Sequence, residues 1–102
     1  LVVPYLMAIG ASGPAHHALS FGKAVVVSDI GHNSGLKDVC PSFPPGDTAR
    51  LESELRRLLA DPEHACTVRQ RAVDYAEAHP WARLARAYSR FYREVRRRRG
   101  AR

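Results

Sequence analysis

Two short apolar runs in the first third of the chain constrain the fold most. They are LVVPYL at residues 1–6 and AVVVSD at residues 24–29, both rich in β-branched residues. Runs of this kind without apolar–polar alternation are typical of parallel strands that are covered on both faces. PAHHALSF at residues 14–21 predicts a short helix between them. Strand, helix and strand in about 30 residues predict a βαβ unit with a parallel sheet and a right-handed crossover.

The residues around this helix are typical of helix ends. Ser12 or Gly13 can cap its start, and Pro14 suits the first helical position, where a missing N–H costs nothing. Gly22 follows the helix, where a left-handed residue is preferred. The next stretch predicts a glycine-rich loop at IGHNSG, a helical turn at LKDV and at most a brief extended segment in PSFPP.

The second half of the chain predicts three helices. Asp47 caps a helix over residues 48–60, and Asp61 caps a second helix that Pro62 opens. His79-Pro80 ends that helix, because a residue before proline disfavours helical backbone. The expected apolar face of the first helix comprises Leu51, Leu55, Leu58 and Leu59, and that of the second comprises Ala65, Val68, Ala72 and Ala76.

A third helix is expected from Trp81 to about Arg98. Its apolar stripe comprises Trp81, Leu84, Ala85, Tyr88, Phe91, Tyr92 and Val95. We interpret this stripe as core, or as a surface that packs on another domain. The arginine run that follows is expected to fray at its end.

Charge is concentrated in the second half. Residues 1–49 have a net charge of −1, whereas residues 50–102 carry fourteen arginines against seven acidic residues. The run Arg96, Arg97, Arg98 and Arg99 fits a solvated tail or a contact with anionic membrane. Nucleic-acid binding is disfavoured, because no aromatic and basic residues interleave and no nucleic-acid motif occurs.

Cys40 and Cys66 match no metal-binding spacing and fit a reduced, cytoplasmic protein.

The loop GASG at residues 10–13 predicts an anion site. Small residues let a phosphate approach the backbone, and the first N–H groups of a helix attract negative charge. The donors would be the N–H groups of Ser12, Gly13, Ala15 and His16, with the Ser12 hydroxyl. The alternative is an ordinary tight turn. The carboxyl end of the second strand adds Gly31 and His32 to a possible cleft, together with His16.

His16 and His17 are not expected to bind a metal as a pair. Neighbouring residues on a helix point about 100° apart, so their rings do not converge on one ion. We expect one of them to face the cleft and the other to pack or to be solvated.

The order of motifs resembles one family. The pieces GKAVVVSD, IGHNSGLKD, FPPGD and LLADPE follow one another as in the donor-binding domain of GT-B glycosyltransferases, above all glycosyltransferase family 4. The resemblance covers residues 1–95, and residues 96–102 form a basic tail. It implies a Rossmann-like α/β partial domain, the C-terminal part of the GT-B donor domain, with a short parallel sheet followed by three C-terminal helices.

The resemblance also implies a function. The full-length protein would transfer a sugar, with retention, from a nucleotide-diphosphate sugar to an acceptor, without a cofactor or metal. Gly10, Ser12 and Gly13 would hold the diphosphate. His17 stands where the family has the glutamate that binds the ribose. The other motif glutamate falls on Ile9, or near Gly10 if the loop is shifted.

The expected partners are the nucleotide sugar and an N-terminal GT-B domain upstream of Leu1, so this chain alone would be inactive. The expected location is cytoplasmic, at the inner membrane face if the basic tail binds lipid. The alternative functions are a non-catalytic GT-B-like module kept for interaction, or a protein that binds membrane or nucleic acid through its basic tail.

Overall fold

A computed structural model describes residues 1–7 and 11–101, with the side chains of these residues except His32 and Ser34. The predicted positions Ile9 and Gly10 lie outside the described residues. The elements in chain order are β1 (Val2–Val3), α1 (Gly13–Ser20), β2 (Val26–Ser28), a 3₁₀ helix (Gly31–Leu36), β3 (Ser42–Phe43), α2 (Thr48–Ala60), α3 (Pro62–Ala78) and α4 (Trp81–Gly100).

The three strands form one parallel sheet in the order β1-β2-β3. Val2 pairs with Val26 and Val27 pairs with Ser42, so each neighbouring pair is in parallel register. With α1 between β1 and β2, the chain contains the predicted parallel strand–helix–strand unit. The protein is therefore a mixed α/β domain with a short parallel sheet, in which the remaining helices follow the strands.

The valine run of β2 is the centre of the core. Val25 and Val27 pack with Ala15 and Leu19 of α1 and with Ala72 of α3. Val26 is buried as well. Because successive strand residues point to opposite faces, burial of all three valines means that both faces of the sheet are covered. The sheet also packs against α2, which contacts β2 and β3.

The helices α2 and α3 begin and end close to the predicted positions. The side chain of Asp47 accepts a hydrogen bond from the Arg50 N–H, and that of Asp61 accepts one from the His64 N–H. The predicted apolar face of α3 is confirmed, since Val68 and Ala72 are buried. On α2 the prediction is wrong for Leu59, which is 86% exposed because the sheet contacts only one side of this helix.

Other boundaries shift by one or two residues. Gly13, not Pro14, is the first residue of α1, and Ser12 is its cap. Gly22 has a φ of +64°, which confirms the left-handed position after α1. The loop predicted at IGHNSG is a 3₁₀ helix, and α4 continues through Gly100, so the arginine run is its last helical turn instead of a frayed end.

The apolar stripe of α4 is not core. Every residue from Trp81 to Gly100 is exposed except Glu94 and Val95, which are half-buried. Periodicity correctly predicts that the apolar side chains share one face, but within the described residues nothing buries that face. In the described part of the chain no helix is long and apolar enough to cross a membrane.

Candidate functional site

The loop before α1 joins the carboxyl end of β1 to the helix start, as the anion-site prediction requires. Ser12 is 7% exposed, and its Oγ accepts a hydrogen bond from the Ala15 N–H at 3.2 Å. Gly13 is exposed, and a Cβ at Gly13 would meet nothing within 4 Å. Space for an approaching ligand is therefore present at the first residue of α1, beside a serine that is fixed by the helix.

Two of the four predicted backbone donors are already engaged. The Ala15 N–H donates to Ser12 Oγ, and the His16 N–H donates to the Ser12 carbonyl at 3.2 Å. Pro14 has no N–H to offer. The predicted set is thereby reduced to the N–H groups of Ser12 and Gly13 and the hydroxyl proton of Ser12.

His16 is held from both sides of its ring. Its Nδ1 lies 2.8 Å from the Ser12 carbonyl oxygen, and its Nε2 lies 3.3 Å from the Tyr75 hydroxyl. A carbonyl oxygen only accepts, so Nδ1 carries the proton and Nε2 accepts from Tyr75. His16 thus connects the loop to α3, as part of the packing between α1 and α3.

His17 points elsewhere. It is exposed, and its ring lies 5.1 Å from the ring of Phe21, at a tilt of 59°. Residues four apart on a helix share a face, so His17 lies one turn after Gly13 on the same side of α1. The two histidines diverge as predicted: His16 packs and His17 is solvated.

The groove beside His16 is apolar and open. It has a volume of about 360 Å³, and its walls include Leu19, Tyr75, Trp81 and Leu84. The rings of Tyr75 and His79 stack there at 4.3 Å. This groove lies between α1, the end of α3 and the start of α4, so the cleft that His16 borders is between helices.

A buried polar pair at the carboxyl end of β2 was not predicted from the sequence. Ser28 is fully buried, and its Oγ donates to the Tyr5 carbonyl at 2.6 Å. Asn33 is 1% exposed, and its Nδ2 donates to the Ser28 carbonyl at 3.0 Å. These bonds connect the segment after β1, the end of β2 and the 3₁₀ helix. In a glycine-rich loop an asparagine is typical of a turn, so the sequence does not indicate that Asn33 is buried.

The predicted cleft residues after β2 lie at the same edge of the sheet. Gly31 is exposed at the start of the 3₁₀ helix, and the backbone of His32 follows it. Asp29, which ends the apolar run, forms a salt bridge of 2.7 Å with Lys37. The carboxylate of Asp29 at this edge is therefore paired with a lysine of the same segment. Among the described residues, no group of three His, Cys, Asp or Glu is placed to hold a metal ion.

The chain was compared with protein-family models, with curated proteins and with solved structures. No family model, curated protein or solved structure matches it.

Proposed function

We propose that the chain is the C-terminal part of a Rossmann-like, nucleotide-sugar-binding domain of a GT-B glycosyltransferase. The observation that carries the proposal is the Ser12–Gly13 turn, which follows β1 of a parallel βαβ unit and opens α1. Ligands of open parallel sheets bind at the carboxyl ends of strands, and helix starts bind phosphates there. The ordered motifs from GKAVVVSD to LLADPE support the same assignment.

In this proposal the N–H of Gly13 and the hydroxyl of Ser12 donate to the donor's diphosphate, with Gly10 completing the loop. His17, one turn further on the same face of α1, contacts the ribose through a ring nitrogen. Gly31 and His32 border the same cleft from the end of β2. The sugar acceptor and the chemistry of transfer belong to an N-terminal domain that precedes this part, on the cytoplasmic side of the membrane.

A second candidate is a GT-B-like module that no longer binds a donor. The specific observation in its favour is that Ala15 and His16 use their N–H groups inside the helix, which leaves few donors for a diphosphate. By the resemblance, neither motif glutamate is present, since His17 and Ile9 (or Gly10, if the loop is shifted) stand at their positions.

Titration of the ¹⁵N-labelled chain with nucleoside diphosphates and nucleotide sugars, followed by NMR, distinguishes these candidates. The donor-site proposal expects weak binding, with the amide signals of residues 11–17 and 29–33 shifting most. Unchanged spectra at millimolar ligand would contradict it and favour the non-binding module.

Gly13→Asp tests the loop itself. The position is sterically open, and an aspartate at the start of a helix is compatible with its dipole, so the fold should persist. Its charge should abolish diphosphate binding, whereas the isosteric neutral change Gly13→Asn should lower affinity only slightly. Equal affinity of both variants for the diphosphate would show that no phosphate lies at this turn.

A further inference from the structure

The amphipathic surface of α4 is the largest feature that the donor site does not use. At 100° per residue, the side chains of its apolar face fall within an arc of about 100°. They are Trp81, Leu84, Tyr88, Phe91, Tyr92 and Val95. The first five are 47–60% exposed. Arg83, Arg86, Arg90 and Arg93 project from the opposite side of the helix.

The aromatic part of this face is continuous along the helix. Tyr88 and Tyr92 stack with ring centroids 6.1 Å apart, and Phe91 lies 5.8 Å from Tyr92. Towards the start of α4, as far as Ala87, the helix borders the groove beside Tyr75. A continuous exposed aromatic surface of this kind marks an interaction site.

Charge restricts what can cover this face. α4 carries eight arginines against one glutamate, whereas residues 1–80 carry seven basic and nine acidic residues. The carboxylate of Glu94 is shared between Arg97 and Arg98, at 2.8 and 2.9 Å. A second copy of the chain would bring two strongly cationic helices together, so like-charge repulsion opposes self-association through α4.

We propose that α4 binds in the plane of an anionic lipid bilayer. Its aromatic face enters the boundary between headgroups and acyl chains, and the arginines of its last turn contact anionic headgroups. A cationic helix with Trp, Phe and Leu on one face has the composition of an interfacial membrane helix. Tyrosine and tryptophan prefer this boundary because their rings are apolar and their polar tips remain hydrated.

The last turn of α4 supplies the charges nearest the membrane. On the helix surface Arg96 and Arg98 flank the two edges of the apolar arc, and Arg99 follows at its end. The arginines opposite the aromatic face would remain in water. The proposal uses only α4 and does not depend on the donor site.

Vesicle binding of the 102-residue chain tests the proposal. The chain should co-sediment with vesicles of equal parts phosphatidylglycerol and phosphatidylcholine, and not with phosphatidylcholine alone. Trp81 is the only tryptophan, so Trp81→Phe combined with Phe91→Trp moves this fluorophore to the middle of the helix, within the apolar face. Its emission should shift to the blue with anionic vesicles and be quenched by brominated acyl chains.

Three variants separate the apolar and charged contributions. Phe91→Ser with Tyr92→Ser should lower the partition coefficient by roughly 10–100-fold, because it removes inserted apolar area. Arg96→Gln with Arg98→Gln and Arg99→Gln should lower it on the order of 100-fold. The control, Arg57→Gln with Arg69→Gln and Arg71→Gln, removes the same charge from exposed positions on α2 and α3 and should change it far less.

Several outcomes would overturn the proposal. They are failure to bind anionic vesicles at low salt, binding that the aromatic variant leaves unchanged, or an equal loss in the control. If the chain does not bind vesicles but binds a synthetic acidic amphipathic peptide through the same residues, α4 is a protein-docking helix and the membrane proposal is wrong.

Discussion

The divergence of the His16 and His17 side chains could be predicted from the sequence, but the packing partner of His16 could not. The sequence predicts that His16 and His17 diverge, because adjacent helical residues differ by about 100° in direction. Which of them packs depends on Tyr75, whose hydroxyl reaches His16 from 59 residues further along the chain. A contact of that separation leaves no local signal, so the role of His16 in packing α1 against α3 could not be predicted.

Tyr75→Phe should destabilise the fold modestly. It removes the hydroxyl that donates to His16 Nε2 and leaves that half-buried nitrogen without this partner. The expected loss is about 0.5–1.5 kcal/mol in the free energy of unfolding, measured by urea denaturation. Tyr88→Phe is the matched control, since Tyr88 is exposed on α4, and it should change stability very little. Equal effects of the two changes would show that the His16 contact does not stabilise the fold.

The two cysteines should differ sharply in reactivity. Cys40 is buried, and burial raises the pKa of its thiol from 9.0 to about 11. Cys66 is exposed on α3. Because the thiolate is the reactive form, a maleimide reagent at neutral pH should modify Cys66 quickly and Cys40 only after unfolding. Mass spectrometry of the labelled native protein measures this, and rapid labelling of Cys40 would contradict its burial.

The same pKa shift predicts a pH dependence of stability. The folded state holds the Cys40 proton more tightly than the unfolded state, so this contribution is complete below pH 9 and decreases as the pH rises towards about 11. Between those pH values the free energy of unfolding of the wild type should fall by on the order of 1–2 kcal/mol more than that of Cys40→Ala. Cys66→Ala should follow the wild type in urea titrations at each pH.

At the scale of elements, predictions succeed where the determining interactions are local. Asp47 and Asp61 each accept a hydrogen bond from the backbone N–H three residues further along the chain. The helices α2 and α3 begin directly after these two capping residues, as predicted. Strand lengths depend on pairing between distant segments, so two apolar runs of six residues become strands of only two and three. In the 3₁₀ helix at Gly31–Leu36, Asn33 donates to the carbonyl of Ser28, a buried contact that a glycine-rich sequence does not reveal.

Gly22 follows the end of α1 and lies against the Val73 side chain of α3. Its φ is +64°, and a Cβ there would lie 3.0 Å from the Val73 side chain. Gly22→Ala should therefore strain the backbone and displace α3, with a loss of about 1–2 kcal/mol in thermal or urea unfolding. Gly35→Ala is the control, because a Cβ at Gly35 meets nothing within 4 Å. A neutral Gly22→Ala would mean that the end of α1 adjusts freely.

At the scale of the whole molecule, α4 determines the shape. The Cα radius of gyration is 17.2 Å, whereas a compact chain of this length has about 13 Å. The sequence predicts that α4 exists and which side is apolar, because periodicity encodes both. It does not encode what covers that side. The interpretation of the stripe as core is wrong, since its side chains are exposed. Its interpretation as a surface that packs on another domain stays a prediction.

Deleting residues 81–102 should therefore shorten the molecule and leave its core intact. No side chain of α4 is buried, so the free energy of unfolding should change by less than about 1 kcal/mol. Val68→Ala, which opens a cavity beneath α3, should cost more, on the order of 1–2 kcal/mol. Small-angle scattering should show the radius of gyration falling to about 12 Å. If the deletion costs as much as Val68→Ala, the start of α4 stabilises the core through the groove that Trp81 and Leu84 border.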